Sequence, residues 1–146
     1  MKLGKKQFIF LVFIIAIVLF LIIEYLKEPF IISETSEDVC IPFTNETSMK
    51  SILLTYRNSN ISVEICKFYD KEKTEENFNR LTDAFSQLQY NGINEKIESF
   101  EGFLYTEKND RVIFLMSNDT IFSCKGKEYT QDVCEWFIKN KTGEYL

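Results

Sequence analysis

Residues 97–124 read IESFEGFLYTEKNDRVIFLMSNDTIFSC, and this stretch decides the fold. Its apolar and aromatic runs are cut at short intervals by Lys108-Asn109-Asp110 and by Asn118-Asp119. Short runs rich in Phe, Ile and Val, bounded by Asn and Asp, read as strands joined by tight turns. The stretch therefore predicts a three-stranded meander over 97–106, 111–117 and 120–124.

Upstream, 51–56 and 61–69 read as two more strands, with the turn at Arg57-Asn58-Ser59-Asn60. In the second, Ile61, Val63 and Ile65 share one face while Cys66 and Phe68 share the other, so both faces carry apolar groups. Phe78, Leu81, Phe85 and Leu88 then recur at helical spacing. Thr74 is the expected cap, Glu75 and Glu76 suit the first turn, and Asn91-Gly92 is the expected stop. A last helix starts at Thr130, buries Val133, Cys134, Phe137 and Ile138, and carries Lys139 and Lys141 toward its end before Gly143. The order ββαβββα predicts an α+β domain over 51–146. It would have two layers, an antiparallel sheet of about five strands with both helices on one face. Residues 29–50, with Pro42 and several Ser, Thr and Glu, read as an irregular stem.

Residues 1–28 have a different character. Lys2, Lys5 and Lys6 precede an unbroken apolar run over 8–23, extended past Glu24 by Tyr25 and Leu26. Sixteen residues rise roughly 24 Å as a helix, and continuing to Leu26 gives about 28 Å against a hydrocarbon core of about 30 Å. The flank Glu24-Tyr25-Leu26-Lys27-Glu28-Pro29 offers no small residue for signal cleavage. A retained transmembrane signal-anchor is the expectation, and a cleaved signal peptide is its rival. The basic tip places the N-terminus in the cytosol and the rest extracellular or lumenal. Gly4-Lys5-Lys6-Gln7 before an apolar helix also resembles the short basic leader of archaeal prepilins. That resemblance implies a filament or surface structural subunit, but the run has no acidic residue before Glu24.

Residues 30–146 hold 13 Lys/Arg against 20 Asp/Glu, a net charge of −7, which repels phosphate backbones and argues against a nucleic-acid partner. Histidine is absent, which removes Ser-His-Asp and Cys-His nucleophiles and every histidine metal ligand. No dinucleotide fingerprint, P-loop or EF-hand run occurs, so no cofactor and no metal is expected. The remaining acid/base material is carboxylate. Glu95, Glu98, Glu101 and Glu107 cluster around the third strand, and two of them flanking a glycosidic bond would make a glycosidase.

Cys40, Cys66, Cys124 and Cys134 all follow the apolar run at separations of 26, 58 and 10. Those spacings form neither a zinc knuckle nor a Cys-x-x-Cys redox pair, and an even count outside the cytosol reads as two disulfides. Three connectivities are open. Pairing sequence neighbours, Cys40–Cys66 and Cys124–Cys134, would contribute about 3.5 and 2.7 kcal/mol through loop entropy. Asn45, Asn60, Asn118 and Asn140 each head an N-x-[ST] sequon on the same side of the run. Trp136 falls nearly a quarter turn off the last helix's stripe, at the rim of the core, where tryptophan favours protein interfaces. Together these features predict a non-catalytic, membrane-anchored, extracytoplasmic interaction or accessory domain. It would be disulfide-bonded and N-glycosylated, and would work with a protein partner at or outside the membrane.

Overall fold

The computed structural model of the chain describes residues 4–37, 48–88 and 90–145. Helix α1 (Lys5–Leu26) contains the apolar run and is long and apolar enough to cross a membrane. None of that span is buried by the rest of the chain, and Phe8, Phe13, Phe20 and Leu26 all lie exposed. The helix ends three residues before Pro29, with Lys27 Nζ 2.5 Å from the Glu24 carboxylate. Only residues 27–29 then separate it from the sheet.

The sheet comprises β1 (Phe30–Glu37), β2 (Ser48–Tyr56), β3 (Ser59–Lys67), β4 (Asn91–Ile97), β5 (Phe100–Glu107), β6 (Asp110–Ser117) and β7 (Thr120–Gly126). All seven are antiparallel neighbours in the order β1-β2-β3-β7-β6-β5-β4. β7 joins the two halves, since Phe122 pairs with Ile65 of β3 on one side and Leu115 of β6 on the other.

Residues 112–115 explain the layering. Side chains alternate across a strand, yet Val112, Ile113, Phe114 and Leu115 are all buried. A strand apolar on both faces must be covered on both. Ile113 and Leu115 join the core beneath α3 (Thr130–Tyr145), where Val133, Phe137 and Ile138 are buried and the Phe122 and Phe137 rings lie 5.6 Å apart. Val112 and Phe114 join a second core beneath α2 (Lys71–Gln87), with Phe85 4.7 Å from Phe114 and Phe78 6.4 Å from Phe103. Gly102 lets this layer close, because a Cβ there would collide with the Phe114 carbonyl and with Phe78.

The expectation of both helices on one face is therefore corrected. They cover opposite faces and the domain has three layers. Two further strands also enter. Residues 30–37, expected as irregular stem, form β1 at the edge of the sheet. Asn91-Gly92, expected only to stop a helix, opens β4. Ile97 closes β4 rather than opening a long strand, and the chain turns at Glu98, whose φ is 54°. The cap of α2 is Asp70, whose carboxylate accepts from the Lys73 amide at 2.7 Å, while Thr74 lies inside the helix and donates its hydroxyl to the Asp70 carbonyl. Helix α3 continues through Gly143 to Tyr145 instead of ending before it.

Candidate functional site

Antiparallel order sends alternate connections to opposite ends of the sheet. The end that holds Phe30, and so the start of the domain after α1, also holds the β2–β3 turn, the β5–β6 turn and the β7–α3 connection. These three segments, with Tyr90, line an open concavity.

The β2–β3 turn is tight, with Arg57 and Asn58 both left-handed at φ 47° and 63°. That geometry suits a two-residue hairpin, and Asn tolerates it better than Arg does. The turn throws Arg57 back over two aromatic rings, 5.1 Å from the centroid of Tyr56 and 5.5 Å from that of Tyr129. The two tyrosines meet edge to face at 5.4 Å. A guanidinium over aromatic faces is held by the ring quadrupole, so the two rings position Arg57. The β7–α3 connection approaches closely because of Gly126, where a Cβ would sit 2.6 Å from Thr130 Oγ1 and 3.1 Å from Ile61. Thr130 also donates to the Lys127 carbonyl at 2.9 Å, which fixes the entry into α3.

Between these segments lies an open cleft of about 540 Å³, lined among others by Asn58, Asn60, Tyr90, Arg111, Lys125 and Lys127. A second of about 420 Å³ shares Arg111 and Lys127 and extends along the first turn of α3. Arg111 donates from Nη1 to the carbonyls of Lys108 and Asp110 at 2.9 and 3.1 Å. Lys125 lies 3.8 Å from the partly buried Glu64, a long contact of little stabilising weight. Asp110 is the one carboxylate on the wall of the larger cleft, against three cations. Tyr90 reaches Glu107, and that hydrogen bond, with burial and the nearby carboxylates, raises its phenol above the usual range. The arrangement suits an anion presenting several oxygens to Arg and Lys heads and Asn amides.

The candidate residues read from sequence are dispersed. Cys124 and Cys134 are joined, Cα atoms 6.1 Å apart, stapling β7 to α3 within a fully buried part of the core. Cys66 is also disulfide-bonded; Cys40 and Asn45 lie outside the described residues. Asn60 is exposed on the wall of the cleft. Asn118 is exposed at the opposite end, in a turn where its φ is 51°. Asn140 is exposed on α3 and donates to the Trp136 carbonyl at 2.8 Å. Trp136 is half-buried and packs against the core beneath α3.

The four glutamates are not brought together. Glu95 accepts from Gln131 on the α3 side, while Glu101 lies 2.8 Å from Lys96 on the other face. Glu98 and Glu107 stand at opposite ends of the sheet. Lys96 holds the Glu101 carboxyl below its usual range, the reverse of what a general acid requires. Among the described residues no group of three or more Cys, Asp or Glu is placed to hold a metal ion. Sequence reasoning missed Arg57, Arg111, Lys125 and Lys127, which are scattered over 70 positions and meet only through strand pairing. No protein-family model, curated protein or solved structure matches the chain.

Proposed function

We propose that this chain is a single-pass membrane protein with a cytosolic N-terminus. Its extracytoplasmic domain is a non-catalytic module that binds or assembles with a protein partner at the membrane. The observation that carries the reading is the connection of only residues 27–29 between a fully exposed apolar helix and a disulfide-stapled sheet. An apolar helix with no protein face to pack on has lipid as its natural surroundings. A tether that short holds the sheet at the bilayer and raises its effective concentration toward anything else anchored there. A buried disulfide suits an oxidising compartment, and the exposed sequons at Asn60, Asn118 and Asn140 suit the same side.

The test is mass spectrometry of the mature chain recovered from carbonate-washed membranes, with and without reduction and with and without glycosidase. The expected result is an intact N-terminal segment, no alkylatable thiol before reduction, and glycan on Asn118 or Asn140 in a glycosylating host. A mature chain lacking 1–26 would support the secreted reading instead, and one lacking only the basic tip before Phe8 the filament reading. Free thiols without glycan would overturn the compartment.

A further inference from the structure

The charged residues in the connections segregate by end. At the end beside the anchor, the segments 57–58, 108–109 and 127–129 carry Arg57, Lys108 and Lys127 against Glu128, a net of +2. At the far end, 68–70, 98–99 and 118–119 carry Asp70, Glu98 and Asp119, a net of −3 within the connections themselves, with Lys67 and Lys71 bordering the first of them. A domain acidic as a whole thus turns its basic connections toward α1 and its acidic ones away.

The tether decides what those basic connections face. From Leu26 to Phe30 the chain spans at most about 14 Å, four extended residue steps. Phe30 pairs with Thr55, one residue before Tyr56 and the Arg57 turn. From β1 to β7 is three strand spacings, about 14 Å, so the cationic cleft lies within reach of the same membrane surface. Exposed lysines with half-buried Tyr56, Tyr90 and Tyr129 beside them are groups that suit a headgroup layer.

We propose that this end of the sheet is a lipid-phosphate docking surface. Arg57, Lys108, Arg111, Lys125 and Lys127 engage the headgroup phosphates of the bilayer that holds α1, and the acidic end points away. The inference rests on the membrane-anchored reading above. The orientation follows from electrostatics: each cation within a Debye length of a phosphate surface is drawn toward it, while the far-end carboxylates stand a strand length away, outside that field. The sheet then stands on the membrane by its connections and leaves both helices and the distal turns free for a partner.

Amine footprinting of the full chain tests this. The protein is reconstituted into nanodiscs of phosphatidylcholine with phosphatidylglycerol, and separately into discs of uncharged galactolipid, and acetylation of each lysine is timed by mass spectrometry. Lys108 and Lys127 are expected to react about fivefold more slowly in phospholipid than in galactolipid discs. Lys67 and Lys71, exposed at the far end, are expected to react at the same rate in both. Equal protection in the two lipids would mean that the bilayer merely shadows this end, and would overturn the proposal. Protection of galactolipid discs by millimolar inorganic phosphate alone would assign the cleft to a soluble anion and overturn the lipid assignment. A chain that incorporates in discs without protection defeats only this inference; a chain that fails to incorporate defeats the anchored reading with it.

Discussion

Removing the Cys124–Cys134 bridge tests how the two sides of the α3 layer are held. The double substitution Cys124→Ala and Cys134→Ala deletes a cross-link between the central strand and the helix at a sequence separation of 10. Closing a loop of that size removes about 9 cal/mol/K from the unfolded chain, or about 2.7 kcal/mol at 25 °C. Both residues are fully buried, so alanine adds no unpaired polar group, and the lost sulfurs leave only small voids. Taken as one cooperative unit, residues 30–146, about 120 in number, have an unfolding entropy near 0.25 kcal/mol/K. The expected loss of Tm is therefore about 11 °C. Calorimetry of the full chain in maltoside micelles, wild type against the double variant, reads it directly. A fall under about 3 °C would refute the reasoning, because it would mean that residual structure between β7 and α3 already restrains the unfolded chain or that the bridge is not formed.

Gly102→Ala places a Cβ against the Phe114 carbonyl and Phe78, in a strand that cannot move without parting from β4 and β6. It is expected to cost about 3 kcal/mol or more and to show as a lowered Tm or loss of soluble expression. Ser123 Oγ is buried with no hydrogen-bond partner among the described residues, so Ser123→Ala is expected to be neutral or to stabilise by up to about 1 kcal/mol in chemical denaturation. Tyr145 donates its hydroxyl to Glu34, and burial first, then that carboxylate, raise its phenol well above the ordinary 10.0. A phenol raised in the folded state contributes stability below its unfolded pKa, lost as pH climbs above it. Melting scans are expected to fall steadily above pH 10, and Tyr145→Phe to flatten that fall while lowering Tm slightly at neutral pH.

Much of the element pattern was legible locally. The apolar helix at the N-terminus, the turns at Arg57-Asn58, Lys108-Asn109 and Asn118-Asp119, and the buried stripe of α3 each rest on interactions among near neighbours. So does the likelihood of meeting between Cys124 and Cys134, which are ten positions apart on adjoining elements. β1 and β4 were harder to see, because both are edge strands. An edge strand is held chiefly by backbone pairing on one side, so its side chains need not alternate strictly, and 30–37 and 91–97 carry Ser, Glu, Asn and Lys freely. The layering is not legible for a related reason. A continuous apolar run such as 112–115 says that both faces are buried, but not which helix lies on which face.

What the chain's order of residues determined by itself is therefore a membrane-length helix, five of the seven strands with the two helices of the domain, and a cysteine pattern without metal or redox spacing. Those follow from short-range chemistry. The cationic cleft and the polarity of the two ends were decided only in three dimensions. Along the chain the relevant residues run Arg57, Asp70, Glu98, Lys108, Asp119, Lys127, with no evident clustering. Antiparallel pairing sends successive strands in opposite directions, so it sorts those dispersed charges into a basic end and an acidic end. The short connection then sets the basic end, and not the acidic one, next to α1.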